Sequence, residues 1–225
     1  MSSCVAALIY YPIDPDPDHE HTAHLDSLLP LFLRRLFLCF VFAVLFYDDG
    51  VMHLFHSQQE AGKSEAEASI WYLNRTEDEP SGPGPYGWTE PVEIFGKPGS
   101  FPKNRLLKAL SGDWLFPIYY STDDVPNHSH IKTLAQGVSP AEPGIWGNID
   151  FTDTDNLVQP SVVRPSPGGE ALVAFFRDRN SENVYRATSD DDGETWSTPK
   201  AIDGVENPNS GIEAFTLDSG RIALV

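Results

Sequence analysis

The stretch that decides the fold spans residues 189–196 and reads Ser-Asp-Asp-Asp-Gly-Glu-Thr-Trp. It fits the pattern S-x-D-x-G-x-T-W, in which each fixed position has a physical role. Asp191 can accept hydrogen bonds from the backbone amides that follow it, as in an Asx-turn. Gly193 can adopt the positive φ that a tight hairpin needs, and Trp196 is a large apolar anchor. The stretch therefore predicts a β-hairpin.

The residues on either side of this turn predict the two strands of the hairpin, over 183–188 and 196–202. The same kind of unit recurs along the chain. Four segments combine a glycine-containing turn with a strand rich in β-branched and aromatic residues: 47–55, 110–119, 168–176 and 218–225. In a second series a strand follows a tryptophan: Trp88, Trp196 and, in a more divergent copy, Trp146. The turn glycines recur at roughly fifty to sixty residues, within reach of the period of a four-stranded propeller blade.

These two interleaved series predict an all-β fold, a β-propeller of four-stranded antiparallel blades. A β-sandwich is the alternative, but it has no reason to repeat paired signals at the blade period. The repeats account for about three blades, whereas propellers close with four to eight. We therefore expect a partial propeller over residues 47–225, truncated at the C-terminus as a fragment or a truncated gene product.

Residues 1–46 do not fit the repeat and are predicted to be a variable leader. Its apolar segment, together with Tyr47, spans residues 28–47. Arg34 and Arg35 interrupt this segment and disfavour a single membrane-spanning helix. The alternatives are a signal or anchor, a buried helix or strand, and a non-native extension. Membrane association is expected only through this segment, so localisation stays open between secretory, membrane-anchored and cytoplasmic.

The formal net charge of −18 constrains the partners of this chain. Nucleic acid is excluded as an expected partner, because its binding depends on Lys and Arg that neutralise phosphates. An anionic sugar would have to be held by a local cluster of cations against a repulsive overall field. The sequence predicts no cofactor and no metal site, and the leader histidines at 19, 21 and 24 fit a polar tail.

The SDDDGETW stretch resembles the Asp-box of the sialidase superfamily, whose members carry BNR repeats. The resemblance continues through 159–163, the turn at 168–169, the strand at 171–178 and the segment 207–215. It implies a six-bladed propeller, of which this chain would hold about three blades. It also implies a site in which three Arg hold the substrate carboxylate, an Asp is the acid/base, and a Tyr activated by Glu is the nucleophile.

Carried over to this sequence, the resemblance makes Arg177 the first candidate for a carboxylate-binding residue, with Asp178 beside it and Arg105 as a weaker second. Gln159 stands where the family's base Glu is expected, and an amide cannot accept a proton as a base. Glu213 is the alternative catalytic carboxylate. Three tyrosines are candidate nucleophiles, and the sequence does not select among them: Tyr119, Tyr120 and Tyr185.

The resemblance assigns the Asp-box residues to structure and not to catalysis: Ser189, Asp191, Gly193, Thr195 and Trp196. It implies a sialidase-like glycoside hydrolase that acts on exposed sugars of glycans, with a glycan or small sugar as its ligand. The departure at Gln159 favours the alternative of a non-catalytic carbohydrate- or protein-binding propeller, and an inactive fragment is the third interpretation. A resemblance in fold does not decide whether the chain is an active exo-glycosidase.

Overall fold

The computed structural model describes residues 7–9, 39–60, 62–76, 82–122, 126–142 and 144–225. Over these ranges the chain forms β-strands and two 3-10 turns, Glu65–Glu67 and Pro85–Gly87. Within the same ranges, no helix has the length and apolar character needed to cross a membrane. The leader histidines and residues 28–38 of the apolar segment lie outside the described residues.

The first sheet contains five strands in chain order: β1 (Ala7–Ile9), β2 (Cys39–Asp48), β3 (Val51–Gln59), β4 (Ser69–Thr76) and β5 (Val92–Phe95). Strand β1 is parallel to β2, and each later pair is antiparallel. Strand β2 lies almost wholly within the predicted leader. The sheet therefore begins before the predicted boundary at residue 47, because the apolar residues that precede Gly50 pair with β3. Of the alternatives for this segment, its described part forms a strand.

The strands of the second sheet are β6 (Ser100–Pro102), β7 (Leu107–Lys108), β8 (Trp114–Tyr120), β9 (His128–Leu134) and β10 (Gly147–Asp150). They have the order β10-β9-β8-β6, and β7 also pairs with β8.

The remaining strands form two more sheets. They are β11 (Leu157–Val163), β12 (Leu172–Asp178), β13 (Asn183–Ser189), β14 (Lys200–Glu206), β15 (Ala214–Thr216) and β16 (Ile222–Leu224). The third sheet follows chain order from β11 to β14, and β15 and β16 form a two-stranded fourth sheet.

The predicted repeats correspond to equivalent positions in the four sheets. Each predicted glycine turn directly precedes one strand of its sheet, and these strands are β3, β8, β12 and β16. The turn glycines have φ values between 72° and 91°: Gly50, Gly112, Gly168 and Gly220. The last strands of the first three sheets, β5, β10 and β14, each follow a tryptophan of the second series. The blade period read from the sequence is therefore confirmed.

The Asp-box turn is closed by its own side chains. Ser189 Oγ accepts the Gly193 amide at 2.9 Å, and Asp191 Oδ1 accepts the Thr195 amide at 2.9 Å. The Thr195 hydroxyl donates to Asp191 Oδ2, and Trp196 Nε1 donates to the Gly193 carbonyl at 3.0 Å. Gly193 has φ 96°, a conformation that is strained for any residue with a Cβ. All five residues of the Asp-box take part in these contacts.

The second strand of this hairpin begins at Lys200, so the predicted start at residue 196 is wrong. The Ser197 amide still donates to the Thr188 carbonyl at 2.8 Å, but the Thr188 amide bonds to the Ser197 hydroxyl at 2.9 Å and not to a backbone carbonyl. Pro199 then has no amide hydrogen to donate. The ladder is interrupted here for both reasons.

The first sheet has the same pair of hydrogen bonds at the corresponding position. The Thr89 amide donates to the Asn74 carbonyl at 2.8 Å, and the Asn74 amide donates to the Thr89 hydroxyl at 3.0 Å. In both sheets the hydroxyl follows the repeat tryptophan directly. The correspondence between these sheets therefore extends to individual hydrogen bonds.

Consecutive sheets pack on one another through apolar clusters. Trp146, in the second sheet's last connection, lies 5.2 Å from Phe95 and 6.3 Å from Phe55 of the first sheet, measured between ring centroids. Trp196 takes the same place one repeat later and lies 5.0 Å from Phe151. Burial of such large side chains provides the main drive for the sheets to associate.

Candidate functional site

The two ends of the third sheet have different characters. Leu172, at the start of β12, pairs with Ser189, so the Asp-box lies at that end. Arg177 lies near the other end of β12, opposite Val158 of β11. The Asp-box is therefore remote from the predicted ligand-binding residue. The groups that could act on a ligand gather at the Arg177 end.

Gln159 occupies the centre of this end in a constrained backbone conformation. It is 3% exposed, has φ 55°, and lies where the pairing of β11 with β12 shifts register in a β-bulge. Asn104 Nδ2 fixes the bulge by donating to the carbonyls of Gln159 at 2.8 Å and Pro160 at 3.1 Å. Bulges and positive φ at non-glycine residues are concentrated at functional sites. The Oε1 atom of Gln159 is buried and has no hydrogen-bond partner among the described residues.

Lys103 joins this centre from the segment between β6 and β7. Its Nζ donates to the Ile212 carbonyl at 2.7 Å and to Asn104 Oδ1 at 3.0 Å. Burial lowers the pKa of Lys103, while the charge of Glu213 opposes and that of Arg177 reinforces this shift. The segment before β15 thus approaches the second sheet through this lysine.

Gly211 allows that close approach. A Cβ at this position would lie 3.1 Å from Gln159 Oε1 and 3.2 Å from Lys103 Cε. Any side chain larger than hydrogen would therefore crowd both groups. The second, third and fourth sheets meet at this point.

Arg177 and Arg179 supply two further cations. Arg177 Nε donates to Asn209 Oδ1 at 2.9 Å, and Arg179 Nη1 donates to Ser121 Oγ at 2.7 Å. Burial is the main cause that lowers the pKa of the Arg177 guanidinium, and the charge of Arg179 adds to it. These two like charges lie close enough to repel, so an anion placed between them would be stabilised.

Tyr119 is the candidate nucleophile that the fold brings to this centre. It is 5% exposed and stacks on Phe101 with ring centroids 5.3 Å apart. Burial raises the pKa of Tyr119 to about 12, and the Gln159 side chain and the charges of Arg177 and Arg179 offset only part of this rise. The phenol is therefore neutral near pH 7 and can serve as a hydrogen-bond donor.

The other two tyrosines have different surroundings. Tyr120 lies under Lys97, whose Nζ is 3.7 Å from the ring centroid, and burial raises its pKa. Tyr185 lies on β13, and burial is the first cause that raises its pKa as well, followed by the charges of Asp178 and Glu182. Tyr119 is the tyrosine of the three whose pKa reflects Gln159 and both arginines.

Most of the predicted site residues come together at this end. Arg105 Nη2 lies 3.4 Å from the Ala214 carbonyl, and Glu213 precedes that residue with its Oε1 buried and without a partner among the described residues. Asp178 lies at the same end, next to Arg177, but its carboxylate is engaged by its own turn. It is 1% exposed, and its two carboxylate oxygens accept the amides of Asn180 at 2.8 Å and Glu182 at 3.1 Å. The predicted ligand-binding role of Asp178 is corrected to that of a turn cap.

Sequence reasoning missed five members of the site, although each lies beside or near residues that it had selected. Lys103 and Asn104 directly precede Arg105, and Asn209 lies in the segment 207–215 that carried the resemblance. Arg179 directly follows Asp178 and Ser121 directly follows Tyr120, but each lies in an irregular connection after the end of a strand, where no repeat pattern marks it. Among the described residues, no group of three His, Cys, Asp or Glu side chains could hold a metal ion. The arrangement is suited to holding an anion.

Comparisons with known proteins identify the family of this chain and the fold that it shares with solved structures. The family model of the BNR repeat-like domain matches residues 41–225, and the chain belongs to that family. No curated protein matches. Solved structures share the fold at low sequence identity. They include a Hadza microbial sialidase (TM-score 0.57, 16% identity, covering 81% of this chain and 38% of that chain).

Two further structures are similar over the same 81% of the chain. One is Trypanosoma rangeli sialidase in complex with 2,3-difluorosialic acid, with a TM-score of 0.56, 11% identity and 32% of that chain covered. The other is a protein of unknown function from Dyadobacter fermentans, with a TM-score of 0.56, 16% identity and 55% of that chain covered. The predicted all-β, sialidase-like propeller fold is confirmed, and this chain spans between about a third and about half of these relatives.

Proposed function

We propose that this chain binds an anionic sugar of a glycan at the cationic centre around Gln159. Four basic side chains carry the proposal: Lys103, Arg105, Arg177 and Arg179. They come from two different sheets and their connections, and they act in a chain whose net charge is −18. Their concentration at one end of the fold, against the overall field, is the single observation on which the proposal depends.

Local charge can outweigh net charge at this site. Exposed charges farther away than about 8–10 Å are largely screened at physiological ionic strength. Lys103 and Arg177 are half-buried, so an anion between them would be screened much less. The four cations outnumber the nearby carboxylates of Glu213 and Asp178, so a ligand carboxylate would be attracted by the centre and only weakly repelled by the more distant acidic surface.

The polar groups of the centre suit a sugar acid. A guanidinium such as that of Arg177 matches a carboxylate through two parallel hydrogen bonds. The neutral phenol of Tyr119 can donate a third bond. The unpartnered Gln159 Oε1 can accept one from a sugar hydroxyl, which would satisfy a buried acceptor.

Glu213 favours a second candidate function, which is sialidase-like hydrolysis of a glycosidic bond. Its charge acts on Lys103, and its Oε1 is buried without a partner among the described residues, as a carboxyl poised for proton transfer could be. Tyr119 argues against the nucleophilic route, because its pKa is about 12 and its neighbour Gln159 cannot take its proton. Binding is therefore the better supported function.

Titration calorimetry on the full chain tests the proposal, with N-acetylneuraminic acid and its methyl ester as probes. We expect the acid to bind more tightly than the ester. Arg177→Ala should weaken binding of the acid about 10- to 100-fold, the range for a lost charge-assisted pair. Arg186→Ala is the matched control, since Arg186 is exposed on β13 of the same sheet.

Two results would overturn this function: no binding of the acid by the wild-type chain, or equal losses in the two arginine variants. A fluorogenic sialoside assayed in parallel decides the second candidate. Turnover that disappears in Glu213→Gln, with binding retained, would establish hydrolysis; no turnover in the wild type would remove it.

A further inference from the structure

We propose that Asn209 is a positioning residue, which orients Arg177 so that its two terminal nitrogens face the ligand and select a carboxylate over its ester. The inference rests on the proposed function, since it concerns the same site. It adds a residue whose role is to set specificity without touching the ligand.

The hydrogen bond between the two side chains determines which edge of the guanidinium stays available. Asn209 Oδ1 accepts from Arg177 Nε at 2.9 Å. A guanidinium can bind a carboxylate either through Nε and one terminal nitrogen or through both terminal nitrogens. With Nε occupied by Asn209, only the edge formed by the two terminal nitrogens is left for two-point binding.

The backbone holds Asn209 in place for this contact. Its φ is 58°, in the left-handed region that Asn tolerates better than most residues. The segment is fixed on the preceding side by the Asn207 amide, which donates to the Glu182 carbonyl at 3.2 Å. Asn207 is buried, and its Nδ2 donates to the Ser210 carbonyl at 3.1 Å. The acceptor on Asn209 is therefore presented by a closed loop and not by a free surface side chain.

The neutrality of Asn209 matters as much as its position. A carboxylate at this position would also accept from Nε, but it would offset the charge of Arg177 in a site whose purpose is to attract an anion. An amide orients the guanidinium and leaves its full charge for the ligand. Asn209 thus sharpens discrimination between a charged acid and its neutral ester.

Asn209→Gly separates the side chain from the backbone, because glycine accepts a φ of 58° without strain. Asn156→Gly is the matched control: Asn156 has φ 65° in the turn before β11, so the same substitution meets the same backbone. Calorimetry should show that Asn209→Gly binds N-acetylneuraminic acid about tenfold more weakly, with the methyl ester nearly unaffected. Asn156→Gly should change neither affinity.

A measurement without ligand makes the inference independent of the binding assay. In ¹⁵N NMR spectra, the Nε–H of Arg177 should exchange slowly in the wild type and in Asn156→Gly, and rapidly in Asn209→Gly. Equal exchange in all three proteins would overturn the inference, as would equal weakening of acid and ester in Asn209→Gly. If the wild type fails to bind the acid while the Nε–H behaves as expected, the proposed function fails and the orienting contact stands.

Discussion

Substitution of Gly193 by alanine tests how the Asp-box joins the core. Gly193 has φ 96°, and a Cβ added there would lie 3.0 Å from Leu115 Cδ1 and 3.2 Å from Leu172 Cδ1. Both leucines are buried, and Leu172 is fully inaccessible. The backbone strain costs about 1–2 kcal/mol, and overpacking of a core costs about 1–3 kcal/mol. Together they predict a loss of about 2–5 kcal/mol in the free energy of unfolding.

Gly168→Ala is the matched control for this prediction. Gly168 has φ 72°, but a Cβ there would meet nothing within 4 Å. It should cost only the strain, and the stiffer unfolded chain offsets about 0.4–1 kcal/mol of the loss in both variants alike. Urea unfolding of the three proteins measures both losses, provided that the slopes agree. The reasoning is refuted if Gly193→Ala is no less stable than Gly168→Ala.

The titratable groups give two further predictions. Hydrogen bonds, chiefly from Thr195 and then from Ser189, hold the pKa of Asp191 at about 2, below the ordinary 3.8. The stability that the Asp191 carboxylate adds to the folded chain is therefore complete above about pH 4 and disappears as the pH falls toward 2. The difference in urea midpoint between wild type and Asp191→Asn should therefore shrink over that interval, and a constant difference would contradict the assignment. Burial lowers the pKa of His53 from 6.5 to about 4, so the fold favours the neutral imidazole, which lies 2.8 Å from the Tyr72 hydroxyl. Stability should fall as the pH drops from 6.5 toward 4, and NMR titration of His53 should show no protonation near 6.5.

Much of the blade architecture could be predicted because its signals are local. A glycine in a turn between two β-prone segments favours a hairpin, as at Gly50 and Gly168, where φ is positive. The Asp-box is equally local, since Asp191 bonds to a residue only four positions away. The predicted start of β14 at residue 196 was wrong because the Ser197 hydroxyl takes the place of a backbone acceptor there.

The candidate site was predicted only in part, because residue type does not reveal which atoms a side chain will meet. Arg177 and Gln159 were selected from a resemblance, and packing then placed both at one end of the third sheet. Asp178 has the same residue type that a ligand-binding carboxylate would have, yet its oxygens are engaged by two amides of its own turn. Arg179 had no pattern to mark it.

The sequence by itself determined the hairpins, their order and their period, since each depends on turn chemistry and strand propensity within a few residues. Only the tertiary structure decided that Lys103, Gln159 and Asn209, which are far apart in the chain, lie at the same end of the fold as Arg177. That arrangement depends on packing between sheets and on the bulge at Gln159, where φ is 55°. Such long-range contacts form through burial that is summed over whole sheets, and no short stretch of sequence carries that information.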